Sequence, residues 1–239
     1  MHVTGTLINA ATVLVGTVLG TLFGNRLPDR IRETVMHSLG LVTLVVGAGE
    51  AFEVFRAPLS GYRASLVVIL GSVLAGGIVG ELLRIEDRLE SAGERLKRRF
   101  GQGQARFTEG FVVASLVFCV GPLTVLGSIE DGLRGDYDLL AIKALLDGFA
   151  ALAFASALGW GVGFSILTIL VYQGSLSLGA SALAGVFTPI VVAALTAAGG
   201  VLILGIGFRL LELKQVRVAN LLPALVIAPV AMSLVERFA

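Results

Sequence analysis

The side chains able to do chemistry in this sequence lie inside runs that are otherwise apolar. Lys143 and Asp147 are four residues apart, so a helix puts ammonium and carboxylate on one face, close enough to pair. Asn9, Gln173 and Asn220 place amides within apolar stretches, and Glu109, Ser115, Cys119 and Ser128 mark a further one. That last stretch also contains Gly121-Pro122. Proline lacks the N–H a helix needs and clashes with the preceding turn, so a kink or break is predicted there. A broken helix frees backbone N–H groups and carbonyls. In a bilayer these are tolerated only inside protein or along a wet cavity, where half-helix ends bind ions or charged solutes. Asp131 follows in a polar patch with Glu130, Arg134, Asp136 and Asp138. The predicted chemistry is a solute or ion pathway lined by Asn9, Glu109, Ser115, Cys119, Gly121, Pro122, Ser128, Asp131, Lys143, Asp147, Gln173 and Asn220. A structural alternative stands beside it: a proline kink made for packing, with Lys143 and Asp147 neutralising each other.

Other chemistries lack their residues. There is no His-Glu-x-x-His helix, no Gly-x-Ser-x-Gly elbow and no phosphate loop. Gly135-Asp136 superficially suits an intramembrane aspartyl protease, but residue 133 is Leu, so Gly-x-Gly-Asp fails. No enzyme activity, catalytic residue or cofactor is expected. His2 and His37 are too isolated to argue a metal site, and Cys119, the single cysteine, permits no intrachain disulfide. The 18 basic and 17 acidic residues leave a net charge of +1, which gives nucleic acid no purchase.

The elements that must position these residues are membrane helices. Of the 239 residues, 56% are hydrophobic and 15% charged, with a mean hydropathy of +0.91. Soluble domains are about 25% charged. A bilayer core needs about 20 apolar residues per helix. Candidate spans run over about 4–23, 34–52, 64–83, 107–128, 182–210 and 218–235, and 139–173 is too long for one crossing and slightly short for two. Gly159-Trp160-Gly161-Val162-Gly163 in its middle predicts a turn or a break. The expected fold is an all-α integral membrane bundle of about seven or eight transmembrane helices, one of them broken at Gly121-Pro122.

Basic residues prefer the cytoplasmic side. Arg84, Arg88, Arg95, Lys97, Arg98, Arg99 and Arg106 put the 84–106 segment there, as an amphipathic helix on the membrane surface. Counting back places the N-terminus outside and Arg26, Arg30 and Arg32 inside. Arg209, Lys214 and Arg217 also fall inside if the middle stretch crosses twice, which favours eight crossings. Glu50, Glu53, Glu130, Asp131, Asp136 and Asp138 then lie on or near the outer face, where an acidic mouth concentrates cations. The first apolar run lacks a signal peptide's positive start and small-residue cleavage site, so it is read as a permanent helix.

Gly16, Gly20 and Gly24 are four apart, as are Ser72, Gly76 and Gly80. Small residues at that spacing let helix backbones approach closely in lipid. The segment Gly40 to Gly47 echoes Gly200 to Gly205, and Arg63 to Glu81 has a counterpart of nearly equal length in Arg217 to Glu236. Inverted repeats leave such echoes in transporters, as do any two glycine-rich helices by chance. The chain is read as one membrane domain over 1–239, with repeat halves 1–100 and 107–239 if the echo is real.

Several stretches, taken in order, resemble the domain-of-unknown-function 554 family of bacterial membrane proteins. They are Gly5-Thr6-Leu7-Ile8-Asn9, Ala114 to Pro122, Gly127 to Leu133, Lys143-Ala144-Leu145-Leu146-Asp147-Gly148, Tyr172-Gln173-Gly174 and Val218 to Leu225. The resemblance covers essentially the whole chain. It implies a multi-helix bacterial membrane protein and supplies no activity or substrate. The expected location is the bacterial inner membrane. The expected function is passage of a small solute, cations preferred, and the alternative is a non-catalytic scaffold or partner subunit. Expected partners are the lipid bilayer, that solute or cation, and a second copy joined through the glycine seams.

Overall fold

The computed structural model describes residues 2–24, 27–56, 58–61, 64–101, 104–183 and 186–238. Arg26 and Arg63, used above for orientation and for the repeat echo, lie outside the described residues, as do Gln102 and Gly103 of the 84–106 segment. The chain forms α1 (Thr4–Gly24), α2 (Asp29–Ala51), α3 (Ser65–Leu83), α4 (Ile85–Phe100), α5 (Phe107–Cys119), α6 (Pro122–Arg134), α7 (Asp138–Leu158), α8 (Ser165–Leu178), the single turn α9 (Ala180–Leu183), α10 (Pro189–Leu210) and α11 (Ala224–Phe238). Short 3-10 turns occur at Phe52–Phe55, Leu59–Gly61, Gly159–Phe164 and Val218–Leu221.

Among the described residues, 6 helical stretches are long and apolar enough to cross a membrane: Thr4–Gly24, Arg30–Phe55, Ser65–Leu83, Asp138–Leu178, Pro189–Leu210 and Val218–Arg237. The pair α5 and α6, bent by 64° at its break, brings the number to 7. The fold is the expected polytopic helical bundle, interrupted where expected. One detail differs from the sequence reading. Glu130 and Asp131, beyond the expected 107–128 span, belong to α6, because one face of that helix, including Val125, Ile129 and Gly132, is buried and carries it on to Arg134. The Asp138–Leu178 stretch is a hairpin. On one straight helix Asp147 and Gln173 would lie about 39 Å apart, yet both bond the Asn9 amide nitrogen, at 2.9 and 2.8 Å. The reversal falls at Gly159, whose φ of +79° suits a residue without Cβ.

The described residues pack into two compact units. The first comprises Met1–Leu39, Leu89–Cys119 and Leu123–Ala184. In it α1 and α7 run parallel: Cβ atoms added at Gly16, Gly20 and Gly24 would strike the carbonyl oxygens of Gly148, Leu152 and Ser156 in turn. The first predicted glycine seam therefore joins two helices of one chain. α8 runs antiparallel to α1, since Asn9 meets Gln173 while Thr17 lies against Gly163. α5 is buried on almost every side, as expected of a helix apolar all round. The buried face of α1 is Gly5, Thr6, Asn9, Val13, Gly16, Thr17, Gly20, Thr21 and Gly24, whereas Leu7, Val15, Leu22 and Phe23 are exposed. This inverts the pattern of a water-soluble helix and fits a hydrocarbon solvent.

The second unit comprises Gly40–Arg88, Val120–Pro122 and Gly185–Ala239. α2 and α10 pack antiparallel, Gly40 on Leu211, Gly207 on Leu44 and Gly47 on Leu204. α3 packs antiparallel to the start of α11, with Gly76 on Ala224 and Gly80 on the Asn220 carbonyl. The echoed segments thus face one another, and the second glycine seam also closes within the chain. Val54, Leu59, Ile69, Ile190, Ala194 and Met232 belong to an apolar core. α4 is amphipathic as expected, but Glu86 in its first turn is buried.

Candidate functional site

The break between α5 and α6 explains the buried lysine. Gly121 has φ +134°, a conformation open to glycine, and Pro122 then begins α6. In an unbroken helix the residue at 122 would donate to the carbonyl of Phe118, four residues back. Proline has no N–H to give. The ammonium of Lys143 takes that place, donating from Nζ to the Phe118 oxygen at 2.8 Å, and the Thr124 hydroxyl approaches the same oxygen at 3.5 Å. A cation at a helix C-terminus also meets the negative end of the helix dipole. Lys143 pairs with Asp147 one turn on, as its spacing predicted. Both side chains are nearly fully buried.

A kink with its cap needs nothing more, but the cluster continues. Asn9 Nδ2 donates to Asp147 Oδ2 and to Gln173 Oε1. Those bonds fix both amides and turn the other ends away: Asn9 Oδ1 and Gln173 Nε2 are buried without a hydrogen-bond partner. Buried polar atoms are nearly always paired, and each exception needs a reason. More exceptions lie along the same helices, at Thr6, Thr17 and Thr21 of α1, Ser177 of α8 and Asp131 Oδ1 of α6. From Thr6 to Thr21 is about 22 Å along the helix axis, most of a hydrocarbon core of about 30 Å. Between Asn9 and Thr17 on that face stands Val13, and the antiparallel register sets Ile169 at the same level of α8. Both are fully buried. One apolar layer therefore divides a polar column. Close to its level, on the α5 side of α8, Ser115 and Thr168 share a hydrogen bond of 2.9 Å.

The column ends where α1 begins. There the Gly5 N–H, one of the first-turn donors no helix satisfies internally, donates to Asp131 Oδ2 at 2.9 Å. Ser128 is buried one turn earlier and donates to the Thr124 carbonyl at 2.6 Å. Asp136 and Asp138 are exposed, Glu130 is half-buried and Asp131 has no exposure, so carboxylates follow one another from the surface inward.

The structure joins Asn9, Lys143, Asp147 and Gln173 directly, with Ser115 on α5 and Ser128 and Asp131 on α6 in the same unit and Cys119 buried beside Phe118. Glu109 stands apart, in an ion pair with Arg106 at 2.8 Å near the start of α5. Asn220 belongs to the second unit. There its Oδ1 accepts from the Glu86 N–H at 2.8 Å and its Nδ2 donates to Glu81 at 2.6 Å. The Glu86 carboxylate pairs with Arg209 at 2.5 Å and accepts from the Ala219 N–H at 2.7 Å. Sequence reasoning missed Glu86 and Arg209 as partners, and no local spacing links them. It also passed over Thr6, Thr17, Thr21 and Ser177, although the first three recur on one face of α1 at helical intervals. Glu50, expected near the outer face, is at the end of α2 with Oε2 buried and unpartnered beside Gly199. Among the described residues no group of three His, Cys, Asp or Glu is placed to hold a metal ion. An apolar groove of about 310 Å³ between α1 and α7, lined by Thr12, Val15, Leu19 and Phe149 among others, does not include Asn9 and suits an acyl chain better than a polar solute.

These features define a multi-pass helical membrane protein with a polar column buried in one of its units. The chain belongs to the family described as protein of unknown function (DUF554), whose profile matches residues 4–233. It is 30% identical to the uncharacterized membrane protein YdfK of Bacillus subtilis (strain 168), over 98% of this chain and 97% of that one. It is 32% identical to the uncharacterized protein YqgA of Escherichia coli (strain K12), over 95% of this chain and 94% of the other. No solved structure matches it.

Proposed function

We propose that the protein carries a small solute, cations preferred, across the bacterial inner membrane through the polar column of its first unit. The observation that carries this reading is the run of unpartnered polar atoms on the buried face of α1 and on the helices against it. A fold under no demand but stability would fill those positions with apolar side chains or bond them. Eight crossings with the N-terminus outside give the helix directions their simplest account. In the order α1, α2, α3, α5–α6, α7, α8, α10, α11, alternation makes α1 parallel to α7 and antiparallel to α8, and makes α2 antiparallel to α10 and α3 antiparallel to α11. It also brings Arg84 to Arg106 and Arg209 to Arg217 to the cytoplasmic side. The acidic end of the column then faces outward, which favours cations, and the Val13 layer is its barrier. No catalytic step is assigned. The competing reading is a non-catalytic scaffold or partner subunit, favoured by the fully bonded Glu86–Arg209–Asn220 cluster of the second unit.

Reconstitution into liposomes with a panel of inorganic cations and small amines tests the proposal. Flux above that of protein-free vesicles is expected. It should fall at least tenfold in Asp131→Asn and Asp147→Asn and rise in Val13→Thr, which wets the apolar layer. Flux of none of them, with all variants alike, would sink the transport reading and leave the scaffold.

A further inference from the structure

Three helices meet at the acidic end of the column. The Gly5 N–H on α1 bonds Asp131 on α6, and Gly132 packs on the carbonyl oxygen of Ser177 on α8. Asn9 and Gln173 bond one turn deeper. The antiparallel register of α1 and α8 thus brings Thr6 and Ser177 to the level of Asp131. At that level three oxygens are buried without a partner: Asp131 Oδ1, Thr6 Oγ1 and Ser177 Oγ. Residues Asp131 and Ser177 have no exposure, and Thr6 has 2%. Capping α1 accounts for Oδ2 of Asp131 and leaves Oδ1 idle. An ionised carboxylate in a low-dielectric interior is costly unless an opposite charge joins it. Lys143 is already neutralised by Asp147, and Arg134, one turn along α6, is exposed.

We infer that Asp131 Oδ1, Thr6 Oγ1 and Ser177 Oγ form a binding site for a small monovalent cation, a reading that names the ligand class of the proposed pathway and rests on it. One carboxylate with neutral oxygens matches a single positive charge. Divalent calcium or magnesium is usually held by several carboxylates or keeps much of its water. Hard oxygen donors suit an alkali-metal ion or a primary ammonium group. The deeper unpartnered carbonyl of Asn9 is the next acceptor such an ion meets on its way along α1.

Thermal unfolding of the full-length protein in detergent, with choline chloride holding ionic strength constant, tests the site. Lithium, sodium, potassium and methylammonium chlorides are titrated separately, with magnesium and calcium as controls. At least one monovalent cation is expected to raise Tm saturably. Asp131→Asn should abolish that response, and Ser177→Ala and Thr6→Val should each weaken the apparent affinity about tenfold. The two hydroxyl variants remove unpartnered groups, so they keep the test alive if Asp131→Asn does not fold. Equal responses to every salt, a stronger response to a divalent ion, or hydroxyl variants indistinguishable from wild type would overturn the assignment. Flux through liposomes without any saturable shift would defeat this site and spare the transport proposal. A shift without flux would do the reverse.

Discussion

Each unit buries an ion pair among its described residues, and the two are finished differently. In the second unit Glu86 meets Arg209, its carboxylate also takes the Ala219 N–H, and Asn220 uses both ends of its amide. In the first, Lys143, paired with Asp147, caps a broken helix, but the Asn9 amide bonded to Asp147 and the Gln173 amide bonded to Asn9 each keep one idle end. Desolvation makes a buried pair expensive, and hydrogen bonds to every remaining polar atom are what make it tolerable. The complete cluster reads as a fastener between α4, α10 and the turn before α11. The incomplete one bears a cost that tighter packing or bonding would have removed, and such local inconsistency is expected at functional positions.

The largest expected effect comes from breaking the fastener. Arg209→Met leaves the Glu86 carboxylate buried beside an apolar chain, and the loss should be about 3–5 kcal/mol. Thermal unfolding in detergent measures it, with a lowered Tm and a smaller monodisperse fraction as readouts. Lys143→Met should cost a similar amount, because it strands Asp147 and uncaps the Phe118 carbonyl together. A variant at either position with unchanged Tm would show that the pair it belongs to is not buried as described.

Removing both charges separates the clusters. Lys143→Met with Asp147→Leu should recover most of the single-variant loss, leaving about 1–3 kcal/mol for the uncapped Phe118 carbonyl, while flux stays abolished. Glu86→Leu with Arg209→Met should recover less, since the Ala219 N–H loses its acceptor in the same step. The coupling energies of the two double-mutant cycles give the comparison directly. Equal recovery in both units would erase the distinction between fastener and pathway.

How much of this was legible in the sequence follows the range of the interactions. Gly121-Pro122 and the Lys143–Asp147 spacing are local, so the break and the pair were readable. Asn9 and Gln173 were visible as polar residues in apolar runs, but their meeting depends on a hairpin at Gly159 that composition alone left open. Glu86 was hidden by its company. It stands in a charged amphipathic helix whose other charges are surface groups, and its partner Arg209 closes an apolar span far along the chain. The polar face of α1 escaped because threonine and glycine are ordinary in membrane helices. Only knowing which side is buried turns Thr6, Thr17 and Thr21 into a stripe. The glycine seams were recognised as packing surfaces, and their partners, Gly148 to Ser156 on one and Asn220 to Ala224 on the other, needed the fold.

The smallest effect is also the most discriminating. Asn220→Leu removes the acceptor of the Glu86 N–H and a donor to Glu81, and should cost about 1–3 kcal/mol. Gln173→Leu removes an amide of similar size from an equally buried place, but one whose Nε2 bonds nothing. Asn9 keeps its bond to Asp147, so the structure forfeits one hydrogen bond and is relieved of one stranded donor. The two terms are of similar size and opposite sign, so stability should stay within about 1 kcal/mol of wild type or rise slightly. Flux should nevertheless fall, because leucine closes the polar column at its midpoint between Ser177 and the Val13 layer. A Gln173→Leu protein as destabilised as Asn220→Leu would mean that both amides serve the fold alone. One that keeps its stability and loses its flux would tie the idle atoms to function.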